Sequence, residues 1–291
     1  MVTSAKAAVI AAVPTPFDPD GALDLASARR LFASVAGFDV EALMVAGTTG
    51  EFPALTIEER QQLFGVALDV AGPDRVMAHV GASSAYEAVA LTNAACTAGA
   101  TRLAAITPYY LPASNTAVLD YYRKISDAAN GAEIYAYLFP SLTGTEVTPQ
   151  EIAKIVTEVG LTGVKLSIPG TAFVAEVAAL VPAGVQIYSG NDALLVEVAR
   201  AGGHGVISGV SPSAPQPFLD LAADLHSGAD IKGAQAKVDA LVSALGSRIS
   251  LGKAALKDLG LIKSETCRMA IDPATSAERK MGATAIAAAD L

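Results

Sequence analysis

The run Ala8-Val9-Ile10-Ala11-Ala12-Val13-Pro14-Thr15-Pro16-Phe17-Asp18 decides between the two folds that the rest of the chain would allow. Residues 8–13 are apolar throughout, which is how a strand reads when both of its faces are buried in a parallel sheet under helices. An open, doubly wound sheet would follow its first strand with a glycine-rich loop, because close backbone approach to a dinucleotide's phosphates needs residues without side chains. Two prolines and Phe17 stand there instead. The dinucleotide loop is excluded.

Runs of the same kind recur at 42–46, 76–80, 103–106, 134–138, 163–166, 185–188 and 205–208. Between them, and after the last, lie segments of helical period at 25–36, 57–70, 85–98, 116–129, 149–158, 172–180, 193–201 and 217–225. Thr56-Ile57-Glu58-Glu59 and Ser84-Ala85-Tyr86-Glu87 have the spacing of capping boxes, and Thr148-Pro149 supplies an N-cap with proline in the first turn. Eight strand–helix units in 291 residues predict an α/β fold, a closed (β/α)8 TIM barrel over residues 1–225. From 226 the alternation stops. Helical patterns at 231–245, 251–261 and 275–289, with no low-complexity linker before them, predict a C-terminal three-helix extension over 226–291 packed on the barrel.

Composition narrows the partners. Twenty Lys+Arg against 29 Asp+Glu give a net charge of −9 and a pI near 4.8, so no nucleic acid and no anionic membrane is expected as partner. Mean hydropathy is high at +0.42. No apolar stretch, however, reaches the ~18 residues of a membrane span without a charge or a turn signal. Met1-Val2-Thr3-Ser4-Ala5-Lys6 lacks a signal peptide's layout, and Cys96 and Cys267 lie far apart without metal-type spacing. A reduced, cytoplasmic enzyme is the expectation.

In a barrel, chemistry collects at the carboxyl ends of the strands. The second strand ends in Gly47-Thr48-Thr49-Gly50-Glu51, whose glycines free the backbone to turn and present hydroxyls and amides suited to a carboxylate. An ordinary glycine turn with threonine caps explains the same letters. The sixth strand contains Lys165 in Gly163-Val164-Lys165-Leu166-Ser167, the only lysine within the eight strand cores. Such a lysine is either half of a structural ion pair or an amine kept dry for Schiff-base attack on a ketone. Tyr137 ends the fifth strand, and Tyr109 and Tyr110 follow the fourth in Thr107-Pro108-Tyr109-Tyr110. Single tyrosines are usually packing; around a buried amine they read as a proton relay. Gly190-Asn191-Asp192 after the seventh strand serves either substrate hydroxyls or the next helix's cap. His79, His204 and His226 are scattered, so no metal site is expected, and Asp18-Pro19-Asp20-Gly21 reads as a polar turn.

Taken together, Gly47–Glu51, Thr107–Tyr110, Tyr137-x-x-Pro140 and Gly163-Val164-Lys165 resemble, in order and spacing and over essentially the whole chain, the dihydrodipicolinate synthase/N-acetylneuraminate lyase family of pyruvate-dependent class I aldolases. The resemblance implies that Lys165 forms the Schiff base, so that no cofactor is needed beyond that covalent imine. It implies that Tyr137 shuttles protons, with Thr48 as the relay hydroxyl, and that Thr49, in the loop opened by Gly47, grips the pyruvate carboxylate. Tyr110 matches a tyrosine lent by a neighbouring subunit, in an assembly that is commonly a homotetramer built as a dimer of dimers. Ile207 matches a residue whose main-chain carbonyl faces the keto acid.

Departures bear on the substrate. Leu142 stands where the family's synthases carry an arginine for the carboxylate of aspartate semialdehyde, and the remaining polar residues near the mouth are Ser167, Asn191, Asp192 and Ser208. Asp192 is followed by Ala193 where sialic acid lyases have glutamate, and Ser83 replaces an asparagine of the synthases' lysine-feedback site, although Glu87 is kept. The expectation is therefore an aldolase or lyase joining pyruvate to an aldehyde, or cleaving the product, with a 2-keto-3-deoxy sugar acid as substrate. The alternatives are 4-hydroxy-tetrahydrodipicolinate synthase, an imine-forming dehydratase, and a non-catalytic keto-acid-binding protein.

Overall fold

A computed structural model of the chain describes residues 7–246 and 248–289. The Met1–Lys6 segment, read as lacking a signal-peptide layout, lies outside the described residues. Eight parallel strands close on themselves in chain order: β1 (Ala8–Ala12), β2 (Ala42–Val45), β3 (Val76–His79), β4 (Arg102–Ile106), β5 (Glu133–Leu138), β6 (Gly163–Leu166), β7 (Gln186–Ser189) and β8 (Gly205–Ser208). Parallel pairing needs a crossover between neighbours. Helices supply it: α1 (Leu25–Ala36), α2 (Ile57–Ala71), α3 (Ala85–Thr97), α4 (Asn115–Ala128), a short α5 (Pro140–Thr143), α6 (Pro149–Val159), α7 (Ala172–Leu180), α8 (Leu195–Arg200) and α9 (Gln216–Ser227). The fold is the (β/α)8 barrel that the strand–helix alternation predicted.

Local chemistry sets the helix starts. Thr56–Glu59 and Thr148–Glu151 form complete capping boxes, each threonine taking the N3 amide while the glutamate returns to the cap. At α3 the Ser84 hydroxyl takes the Glu87 amide at 3.2 Å.

Side chains alternate along each strand between two cores. On β5, Ile134, Ala136 and Leu138 face the helices, while Tyr135 and Tyr137 face the barrel interior with Met44, Ile106, Tyr188 and Ile207. The amino-terminal end of that interior is closed by a polar plug. Glu41 accepts from Arg102 at 2.6 Å and from the Tyr188 hydroxyl at 2.8 Å, and Gln186 accepts from Tyr135 and Tyr188, each at 2.9 Å.

Beyond α9 come α10 (Lys232–Leu245), α11 (Ile249–Asp258) and α12 (Ser276–Ala289). They share an apolar cluster with the barrel's flank, in which Val238, Leu241, Leu251 and Ile286 meet Phe218 and Leu221 of α9 and Val9 of β1. Through this cluster α11 comes to lie beside the strands' carboxyl ends. No helix among the described residues is long and apolar enough to cross a membrane.

Candidate active site

A cleft of about 470 Å³ opens at the carboxyl end of the barrel. Pairing register assembles its floor: Tyr137 on β5 stands opposite Lys165 on β6. The Lys165 side chain runs inward, with Nζ 4.2 Å from the centre of the Tyr137 ring and 3.6 Å from Met44 Sδ. Lys165 is 5% exposed and Tyr137 1%, so the amine borders the cleft without being bathed in solvent. No carboxylate forms an ion pair with Lys165 among the described residues, which removes the structural ion-pair alternative.

The loop after β2 carries the next groups. The Thr48 hydroxyl lies 3.2 Å from the Tyr137 phenol, and the Ser167 hydroxyl meets the same phenol at 3.5 Å. Thr48 and Ser167 thus converge on the phenol of the tyrosine whose ring carries the Lys165 amine on its face. Ala46 and Glu51 bracket the loop with left-handed φ of +53° and +55°, uncommon for residues with side chains, at a cost on the order of 1–3 kcal/mol each. Two contacts hold the loop in that form. The Thr15 hydroxyl donates to the Gly50 carbonyl at 2.7 Å, and the Glu51 carboxylate is buried in the C-terminal helices.

Glu51 is a feature that the sequence alone did not mark as separate from its motif. One carboxylate oxygen pairs with Lys253 of α11, and the other accepts the Arg268 and Met269 amides at 2.8 and 2.9 Å. Both side chains of the ion pair are fully buried. Burial pushes the Lys253 amine down from its ordinary value, with Glu51 opposing that shift. The only prior signal was a lysine in an apolar helical pattern; its partner 202 residues away was not readable.

On the far wall, Asp192 is 8% exposed and burial raises its carboxyl above the usual range, although the Ser208 hydroxyl and the Val210 amide both donate to it. Gly190 leaves room beside it for Ser167 Oγ, which a Cβ there would displace.

The cleft therefore brings together Lys165, Tyr137, Thr48, Thr49, Ser167, Asp192, Ile207 and Leu142, all singled out from the sequence. Other expected residues sit elsewhere. Ser208 is fully buried and gives its hydroxyl to Asp192, so it supports the wall and offers nothing to a substrate hydroxyl. Asn191 Oδ1 accepts the Ala193 amide at 3.3 Å, which is the capping alternative. Gly47 lies under the loop against the Met44 side chain. Tyr110 is 89% exposed at φ +78°, outside the cleft. Tyr109, read with Tyr110 as a rim phenol, lines the cleft, and residues not foreseen line it too, including Phe52, Met269 and Arg248.

A family model described as the dihydrodipicolinate synthetase family matches residues 5–289. The chain is 31% identical over 276 residues to the 4-hydroxy-tetrahydrodipicolinate synthase of Alkaliphilus oremlandii, covering 92% of this chain and 93% of that protein. It is 32% identical over 213 residues to the enzyme of the same name from Methylococcus capsulatus, covering 73% of each. The solved dihydrodipicolinate synthase of Thermotoga maritima superposes with a TM-score of 0.91 at 29% identity, covering 98% of this chain and 99% of that one.

Proposed function

The chain belongs to the dihydrodipicolinate synthetase family, and from that premise we propose that Lys165 carries pyruvate as an imine and joins it to an aldehyde that bears its own carboxylate. Members of this family are pyruvate-dependent class I aldolases and lyases that work through a lysine imine without an added cofactor. The observation that carries the assignment to this chain's residues is the buried Lys165 amine, packed on the Tyr137 ring and without an ion-paired carboxylate among the described residues, with the Thr48 hydroxyl on that tyrosine's phenol.

In this reading the Lys165 amine attacks the C2 carbonyl of pyruvate, and the carbinolamine loses water to give the imine. Tyr137 hands protons to and from the departing oxygen, and Thr48 holds the phenol in position and relays its proton. Thr48 and Thr49, with the Ile207 carbonyl opposite, orient the pyruvate carboxylate and carbonyl. The imine draws electrons from C3, which loses a proton to become an enamine. That carbon attacks the aldehyde, the new alkoxide takes a proton, and water releases the product from Lys165.

Tyr110 belongs to this machinery only if another subunit receives it. Its exposure of 89%, with Leu111 beside it at 73%, and its left-handed backbone suit a side chain held out for a neighbour. We assign the active form to a dimer that exchanges Tyr110, within a homotetramer, working in the cytoplasm, where the unpaired Cys96 and Cys267 fit a reducing milieu.

For the second substrate, the relatives named 4-hydroxy-tetrahydrodipicolinate synthase favour aspartate semialdehyde over the sugar acid expected first. One observation favours the sugar-acid reading: Leu142, 59% exposed on the cleft wall, offers no charge, while Ser167 and Asp192 offer polar groups for hydroxyls. Steady-state kinetics with pyruvate and either aspartate semialdehyde or glyceraldehyde, together with cleavage of 2-keto-3-deoxy sugar acids, separate the two. The synthase reading requires the highest kcat/KM for aspartate semialdehyde. A higher value for any hydroxylated substrate assigns the chain to sugar-acid chemistry.

A further inference from the structure

Among the residues lining the cleft, three belong to the acidic and basic types: Lys165, Asp192 and Arg248. The first is consumed by the imine, and the second accepts the Ser208 hydroxyl and the Val210 amide. Arg248 has no part in the reaction so far described. It precedes α11, on the side of the cleft built by the C-terminal helices, with Leu245, Ile249 and Met269 as apolar neighbours in the wall. Its side chain is 43% exposed, and Nη1 donates to the Glu278 carboxylate of α12.

A guanidinium has five N–H donors in a planar fork, so pairing through one nitrogen fixes its plane and leaves donors for a second acid. Apolar walls strengthen such a pair relative to open water. Facing walls contribute nothing comparable, since Leu142 and Phe139 line the cleft without charge.

We propose that Arg248 is a specificity-determining residue that holds the carboxylate of the aldehyde substrate, so that selection of the second substrate is made by the C-terminal helices and not by the barrel loops. This rests on the reading that Lys165 holds pyruvate on the cleft floor.

The test is calorimetric binding, in the presence of pyruvate, of succinate semialdehyde (which carries a carboxylate) and of butanal (which does not). Wild type, Arg248→Ala, Arg248→Gln and Glu278→Gln are compared. The wild type should prefer succinate semialdehyde by roughly 10- to 100-fold, the worth of a charge-assisted pair. Both Arg248 variants should lose that preference, and Glu278→Gln, which keeps the guanidinium, should retain most of it. A preference that survives both Arg248 variants, or is absent from the wild type, overturns the assignment. Equal loss in Glu278→Gln also overturns it, because breaking the α11–α12 ion pair would then be the cause. Borohydride trapping of pyruvate in the same samples reports separately on the imine. Failure to trap in the wild type would overturn the Lys165 reading, while the calorimetric preference, which needs no turnover, would still decide the role of Arg248.

Discussion

Lys165 and Tyr137 meet because β5 and β6 pair at those two residues, and the phenol's further partner is the Thr48 hydroxyl at 3.2 Å. Removing only the phenol oxygen tests that arrangement. Tyr137→Phe should lower kcat by about 10²- to 10⁴-fold, as loss of a positioned proton donor does, and leave a pyruvate adduct that can still be trapped; a kcat within threefold of wild type would remove Tyr137 from the relay. A second residue-scale prediction concerns His79, which is fully buried and accepts the Ile106 amide at 3.2 Å. Burial first, then the nearby Arg60 and Lys165 cations, hold its imidazole well below the ordinary 6.5. The unfolded chain therefore takes up a proton near pH 6.5 that the folded chain refuses, so stability is present above that pH and falls as pH drops through it, by up to about 1.4 kcal/mol per pH unit. Urea unfolding at pH 7, 6 and 5 should show this slope, reduced in His79→Gln; an unchanged slope would place its origin elsewhere. Lys165 was legible in the sequence because an amine in an apolar strand is costly and demands a reason. Ser208 and Asn191 were not legible in the same way, because a polar side chain at a strand end serves a neighbour as readily as a ligand; in the structure their oxygens bond Asp192 and the Ala193 amide.

At the scale of elements, the strands were legible because each is a near-continuous apolar run, and the helices because period and caps agree. β7 was placed one residue early, at 185–188 against Gln186–Ser189, since Val185 is as apolar as its neighbours. The short α5 gave no periodic signal in its four residues. The C-terminal helices were foreseen, but not that α11 reaches back to the loop after β2, because pairing across 202 residues is a tertiary fact. That pairing carries its own prediction. Lys253→Met leaves the Glu51 carboxylate buried without its cation and should cost about 3–5 kcal/mol in urea unfolding, with catalysis falling as the Thr48–Thr49 loop loosens. In Glu51→Gln/Lys253→Met the combined loss should be smaller than the sum of the two single losses. Simple additivity would mean that the two groups are not energetically coupled.

For the whole molecule, the proposed exchange of Tyr110, whose phenol is exposed in a single chain, would join one barrel mouth to a second subunit. Lys165→Ala and Tyr110→Phe each damage a different group of a shared site. Co-expression of the two should yield hybrid dimers with one intact site, and activity above the sum of the parents; a mixture that never exceeds that sum would show that the relay is not exchanged. All of this depends on the nucleophile. The protein is incubated with pyruvate and borohydride, digested, and its peptides weighed by mass spectrometry. The expected result is a single reduced pyruvate adduct on the peptide containing Lys165, absent from Lys165→Ala protein that still unfolds cooperatively. An adduct on any other lysine, or one that persists in the variant, would contradict the account.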